Sequence, residues 1–244
     1  MPIPIPAANL YWDDEEARAA VAGFNGNLQY LAGEVMARRI FAQAQPAHAA
    51  SLVVSVNALM GAQASQNDQA LIAESLQGNW DTIVDRLWAL PPDVLDNHPD
   101  ALCELSQEVL PPLVNVDRQN RRDYVLATKL LHWLSRGRTP IVDGLARNKV
   151  RALQAAWDGD PVEVTRILPC WEEDGTDFGG IDYARWVRFY SALVNGLDLT
   201  NKQDLLQHDW DTQRHALQGH APQDWTARNT LVRVIDKYLW YRPH

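Results

Sequence analysis

The chain has 244 residues, a net charge of −9, an apolar share of 46% and ten tryptophans. That length suits one large domain or two lobes, and that composition builds a core with bulky indole layers. The negative balance speaks against a simple nucleic-acid coat, and the longest apolar runs, such as Ser51–Val56, fall far short of the roughly 18–20 residues of a membrane span.

The opening MPIPIPAANLYWDDEE has no basic n-region and no apolar h-region, so no secretory signal is expected. Its alternating prolines restrain the backbone, and residues 1–12 read as an extended arm. Residues 13–244 read as one helical domain, or as two lobes divided near 111–118. Asp13–Glu16 is an acidic helix start, with carboxylates at the positive end of the helix dipole. Leu28–Ala44 places Leu28, Leu31, Val35, Ile40 and Phe41 close to helical period. His48–Met60 is valine-rich, but its alanines and length predict a buried helix. Asn67 and Asp68 are placed to cap the run QALIAESL. Trp80–Leu90 gathers Ile83, Val84, Leu87 and Trp88 on one face until Pro91-Pro92 stops it.

Asp93–Asp96 reads as a single turn at most. Pro99 opens a helix that Pro111-Pro112 closes. A helix from Arg121 to Leu134 is followed by a basic turn and a second helix reaching Trp157. Asp158–Pro161 is a turn, Pro161–Leu168 a short helix, and Glu172–Gly180 a loop by composition. Ile181–Leu197 repeats Ile181, Trp186, Phe189, Leu193 and Leu197 in helical spacing, and Asp198–Thr200 resembles another cap. The last helix, Trp225–Tyr241, puts Leu231, Val234, Ile235, Tyr238 and Leu239 on one stripe. With no repeat and no convincing strand pair, the fold class is all-α.

Chemistry concentrates in the middle. From Arg118 to Arg151 nine basic residues face two acids, an excess of +7 that leaves −16 elsewhere. Arg121, Arg122, Arg136, Arg138, Arg147 and Lys149 could form an anion-facing surface, or simply solvated helix faces paired with acids. Leu126, Leu130 and Leu134 make a buried stripe, and Lys129 and His132 share the adjoining face. A lysine so placed either snorkels to water or is desolvated into a usable amine nucleophile. Asp143 stands at the N-cap of the following helix, a role that would explain it without any chemistry. Cys103 and Cys170 lack metal spacing and read as reduced core thiols of a cytoplasmic protein. No metal or cofactor motif is found.

The basic turn, the helix containing Ala127-Thr128-Lys129 and the step Pro140-Ile141-Val142-Asp143 together resemble the helix-hairpin-helix DNA glycosylase superfamily, over residues 118–150. The resemblance implies a two-lobed helical fold. It implies Asp143 as the catalytic acid, Lys129 as a Schiff-base nucleophile, and the six basic residues as phosphate contacts. Tyr124 would be a candidate to stack on an extruded base. The glycine-rich hairpin of that family is absent here, and RQNRRDYVLA stands in its place. The reading that follows is a nucleic-acid-binding protein, with DNA as partner, in bacterial repair or defence. The alternative is a non-enzymatic helical module that binds a protein partner. An unrelated all-α enzyme is the third reading. The first requires Lys129 and Asp143 to line one open cavity with the arginines around its mouth; the second requires the aspartate to serve its cap and the lysine to point to bulk water or to an acid.

Overall fold

The computed structural model describes residues 13–114, 124–155, 180–197, 199–218 and 230–241, and every regular element among them is helical. The expectations for residues 1–12, 115–123, 156–179, 198 and 225–229, the extended arm among them, lie outside these residues. No helix among the described residues is long and apolar enough to cross a membrane.

The N-terminal part is a run of capped helices. Asp13 Oδ1 accepts the N–H groups of Glu15 and Glu16 to start α1 (Asp14–Gly26). Asn27 ends that helix and its side chain caps α2 (Leu28–Phe41). A 3-10 turn at Pro46–His48 leads into α3 (Ala49–Met60), which stops at Gly61 in the left-handed region. α4 (Gln66–Gly78) is capped by Ser65, not by Asn67 or Asp68. The Ser65 hydroxyl accepts the Asp68 N–H and donates to the Asp68 carboxylate, so the pair serves the role expected further along the chain.

A π-helical turn at Asp81–Asp85 continues into α5 (Arg86–Ala89), followed by the short α6 (Val94–Asn97) and by α7 (Pro99–Val109). Pro111-Pro112 does more than close α7: it opens a further turn, α8 (Pro111–Val114), as proline can at a first helical position.

α9 (Tyr124–Leu134) is the central helix. It packs against α2, α3, α5 and α8. The stripe of leucines predicts one buried face, but all of α9 except Val125 is buried. Lys129 and His132 are therefore core residues. α10 (Gly144–Ala155) follows, then α11 (Gly180–Gly196) packed on α6 and α7, and α12 (Leu199–Ala216) packed on α1. α13 (Leu231–Trp240) touches α1, α10, α11 and α12, so the end of the chain closes the molecule.

The link between α9 and α10 is non-helical and buried from Thr139 to Asp143, and side chains hold its backbone. Arg136 (φ 58°) and Gly137 (φ 78°) end α9 in the left-handed region, with Gly137 N–H bonded to the His132 carbonyl at 2.7 Å. Thr139 N–H meets Ser135 Oγ, and the Thr139 carbonyl meets His132 Nδ1 at 2.7 Å. Tyr183 donates to the Pro140 carbonyl. Ile141 N–H donates to Asp236 and its carbonyl accepts from Trp186 Nε1 at 3.0 Å. Val142 N–H donates to Thr128 Oγ1 at 3.1 Å. Burying a backbone without such partners would cost free energy at each orphaned group.

Thr128→Val keeps the shape of that side chain and strands the Val142 N–H. Urea unfolding should show a loss of about 1–3 kcal/mol, with Thr128→Ser retaining most of the stability.

Candidate active site

The segment 139–142 delivers Asp143 to the first turn of α10. Asp143 Oδ1 accepts the N–H groups of Leu145 (3.0 Å) and Ala146 (2.9 Å), so the aspartate is the N-cap. Its other oxygen, Oδ2, lies 3.8 Å from Lys129 Nζ. Lys129 also donates to the Met60 carbonyl at 2.8 Å, at the end of α3. Both residues are only 6% exposed. Capping therefore occupies one carboxylate oxygen and leaves the other for the lysine.

Lys129 and Asp143 share the wall of a cavity of about 680 Å³. Phe24, Tyr30 and Trp240 form an aromatic group in its lining, with Tyr30 and Trp240 ring centres 4.7 Å apart and edge to face. Exposed Gln29, Gln63 and Asn148 also line it, so the cavity reaches the surface. Asp236 and Arg233, from α13, complete the charged part of the lining.

Asp236 stands behind the site and holds its backbone. Oδ1 accepts from Tyr190 Oη at 2.6 Å and from Ile141 N–H at 3.2 Å. Burial pushes its carboxyl up to about 7, against the opposing influence of the Arg233 charge and these hydrogen bonds. His132 Nδ1 lies 3.3 Å from Asp236 Oδ2. Burial, helped by the Arg233 charge, lowers the histidine to about 3, so it is neutral; its bond to the Thr139 carbonyl places the proton on Nδ1.

A second charged group braces α13. Glu34 is fully buried and pairs with Arg38 (2.6 Å), Arg233 (3.3 Å) and Lys237 (3.2 Å). Burial opposes its ionisation, but the charges of Lys237, Arg233 and Arg38 hold its carboxyl well below the usual range. Lys237 also reaches Asp209 (2.7 Å) and Asn25 (3.0 Å), tying α13 to α12 and α1.

The remaining sequence candidates are dispersed. Arg121 and Arg122 lie outside the described residues. Arg147 is on α10, and its side chain is likewise outside them. Lys149 pairs with Glu16 and sits over the Tyr238 ring. Arg136 and Arg138 line a different cavity. Tyr124 is buried and lines neither cavity. Arg233, Asp236 and Trp240 were not singled out from the sequence; the one signal was three charges inside the apolar pattern LVRVIDKYLW. Among the described residues no cluster of three or more His, Cys, Asp or Glu side chains could hold a metal ion. Cys103 is a buried free thiol, pushed up to about 11 by burial, and Cys170 lies outside the described residues. Compared with protein-family models, curated proteins and solved structures, the chain matches none.

Asp236 and His132 pull stability in opposite directions with pH. The raised carboxyl favours the folded state below about pH 4, and that contribution fades as pH rises through about 7. The lowered histidine adds stability above about pH 6.5, which is lost as pH falls towards 3. Asp236→Asn removes the first trend only. The stability of the wild type minus that of the variant should fall by up to about 4 kcal/mol between pH 4 and 7, at roughly 1.4 kcal/mol per unit, read from urea midpoints.

Proposed function

We propose that the protein acts on a nucleic-acid base extruded into the Lys129–Asp143 cavity, with chemistry of the DNA glycosylase kind. The observation that carries this reading is the approach of a buried lysine amine to the uncapped oxygen of a buried aspartate, 3.8 Å apart, on the wall of an aromatic-sided cavity. A volume of about 680 Å³ lies in the range of small-molecule sites. Tyr30 and Trp240 supply faces on which a base can stack.

The residues support a balanced reaction. Asp143 Oδ2 takes a proton from the Lys129 ammonium. The amine attacks C1′ of the nucleotide, the glycosidic C–N bond breaks, and its electron pair leaves with the base, which recovers the proton from Asp143. The new C1′ ammonium then passes a proton to the ring oxygen as the C1′–O bond breaks. An iminium between Lys129 and C1′ remains. Before attack the lysine must exchange its bond to the Met60 carbonyl for the substrate.

A second reading, a non-enzymatic module with a protein partner, draws on a specific observation too. Lys129 bridges α3 to α10 and Asp143 caps α10, so both have structural work without any substrate.

Fluorescence anisotropy with duplexes separates the two. The enzymatic reading predicts salt-dependent binding that is tighter for a duplex with a mismatched base, which costs less to extrude, than for a fully paired one. Trp240→Ala should weaken the mismatched complex by about 5- to 100-fold, as loss of one stacking partner does. No binding at low salt would favour the interaction module.

A further inference from the structure

On the far side of Arg233 lies a second cavity, of about 310 Å³, with an unusual lining. Arg38, Arg136, Arg138 and Arg233 all contribute to it, and no acidic side chain does among the described residues. Arg38 and Arg233 both pair with Glu34, which also meets Lys237, and the charges of Asp236 and Asp209 act on Arg233 as well. Arg138 donates to the carbonyls of Trp88 and Leu90, and Arg136 lies over the Trp88 ring at 5.0 Å. Among the described residues neither Arg136 nor Arg138 makes an ion pair with an acid. Positive charge is thus in excess around this cavity.

Residues of its lining also carry buried polar atoms with no hydrogen-bond partner. Trp133 Nε1 and Arg233 Nε are both unmatched donors, on residues 5% and 6% exposed. The two side chains stack, with the guanidinium carbon 5.6 Å from the indole centre. Each orphaned group carries a desolvation cost that a ligand acceptor would relieve. His132 Nε2 is unmatched as well, and in the neutral ring it is an acceptor suited to a P–OH group. The arginine nearest the surface, Arg136, is held in the left-handed region, where a non-glycine residue is strained.

We propose that this cavity is a binding site for a phosphate group. Arg136 and Arg138 supply charge at the opening and Trp133 and Arg233 supply N–H donors inside. The site is separate from the Lys129–Asp143 cavity and goes beyond the reading given for it. Two sources share this chemistry: a free phosphate compound, and the terminal phosphate of a nucleic-acid strand.

Isothermal titration calorimetry tests it with inorganic phosphate, a nucleoside 5′-monophosphate, and a short oligonucleotide with and without a 5′-phosphate. Arg136 is exposed, so Arg136→Ala should leave the fold intact, as circular dichroism would verify. The expected result is saturable phosphate binding that weakens about tenfold or more in Arg136→Ala and is unchanged in Arg188→Ala, a surface arginine outside the cavity. Equal binding of the mononucleotide and the phosphorylated strand assigns a small-molecule source; binding of the phosphorylated strand far above the mononucleotide assigns a strand end. No binding of any phosphate-bearing probe, or equal phosphate binding in Arg136→Ala, would overturn the proposal. Inorganic phosphate has neither base nor sugar, so this result stands or falls apart from the Lys129 chemistry.

Discussion

A buried length of backbone without secondary structure is the constraint on which the rest depends. Thr139–Val142 runs through the core, and its polar groups are met by Ser135, His132, Tyr183, Asp236, Trp186 and Thr128. Those partners come from α9, α11, α13 and the turn itself. The segment ends at Asp143, so the position of that carboxylate is set by side chains from across the fold. A site built in this way is rigid because each partner is itself buried and packed.

α13 is the second part of the frame. Its Asp236 holds Ile141, while Arg233 and Lys237 converge on Glu34 and Asp209. Buried charges of this kind add little net stability over apolar packing, but removing one partner strands the others. Their consequence here is positional. They seat α13 between α1, α10, α11 and α12, and Arg233 becomes the shared wall of two cavities. One cavity presents a lysine, two aspartates and an aromatic face; the other presents arginines and unmatched donors.

Much of the helical architecture was legible in the sequence. An acidic start and a first-position proline marked α1 and α7, because such end effects are local to the chain, while α2 showed only in its apolar period and its Asn27 cap went unread. The Asp143 cap was visible for the same reason. What was not legible is tertiary. The leucine stripe on α9 suggests one buried face, but neighbours on all sides bury Lys129 and His132 too. Arg233 and Asp236 lie more than 80 residues from the segment they serve, and a charged residue inside an apolar helix pattern reads as a solvated edge until its partners are known. The continuous basic surface expected from Arg118–Arg151 is not assembled among the described residues: Lys149 is paired with Glu16, and Arg136 and Arg138 turn to a separate cavity.

The most direct test of the account is borohydride trapping of the full chain on an oligonucleotide with an abasic site, followed by peptide mapping. The expected product is a covalent adduct on Lys129, absent in Lys129→Met and reduced in Asp143→Asn when both variants remain folded. An adduct on another lysine, or none with the wild-type protein, would contradict it and leave the Lys129–Asp143 pair as a structural bridge between α3 and α10.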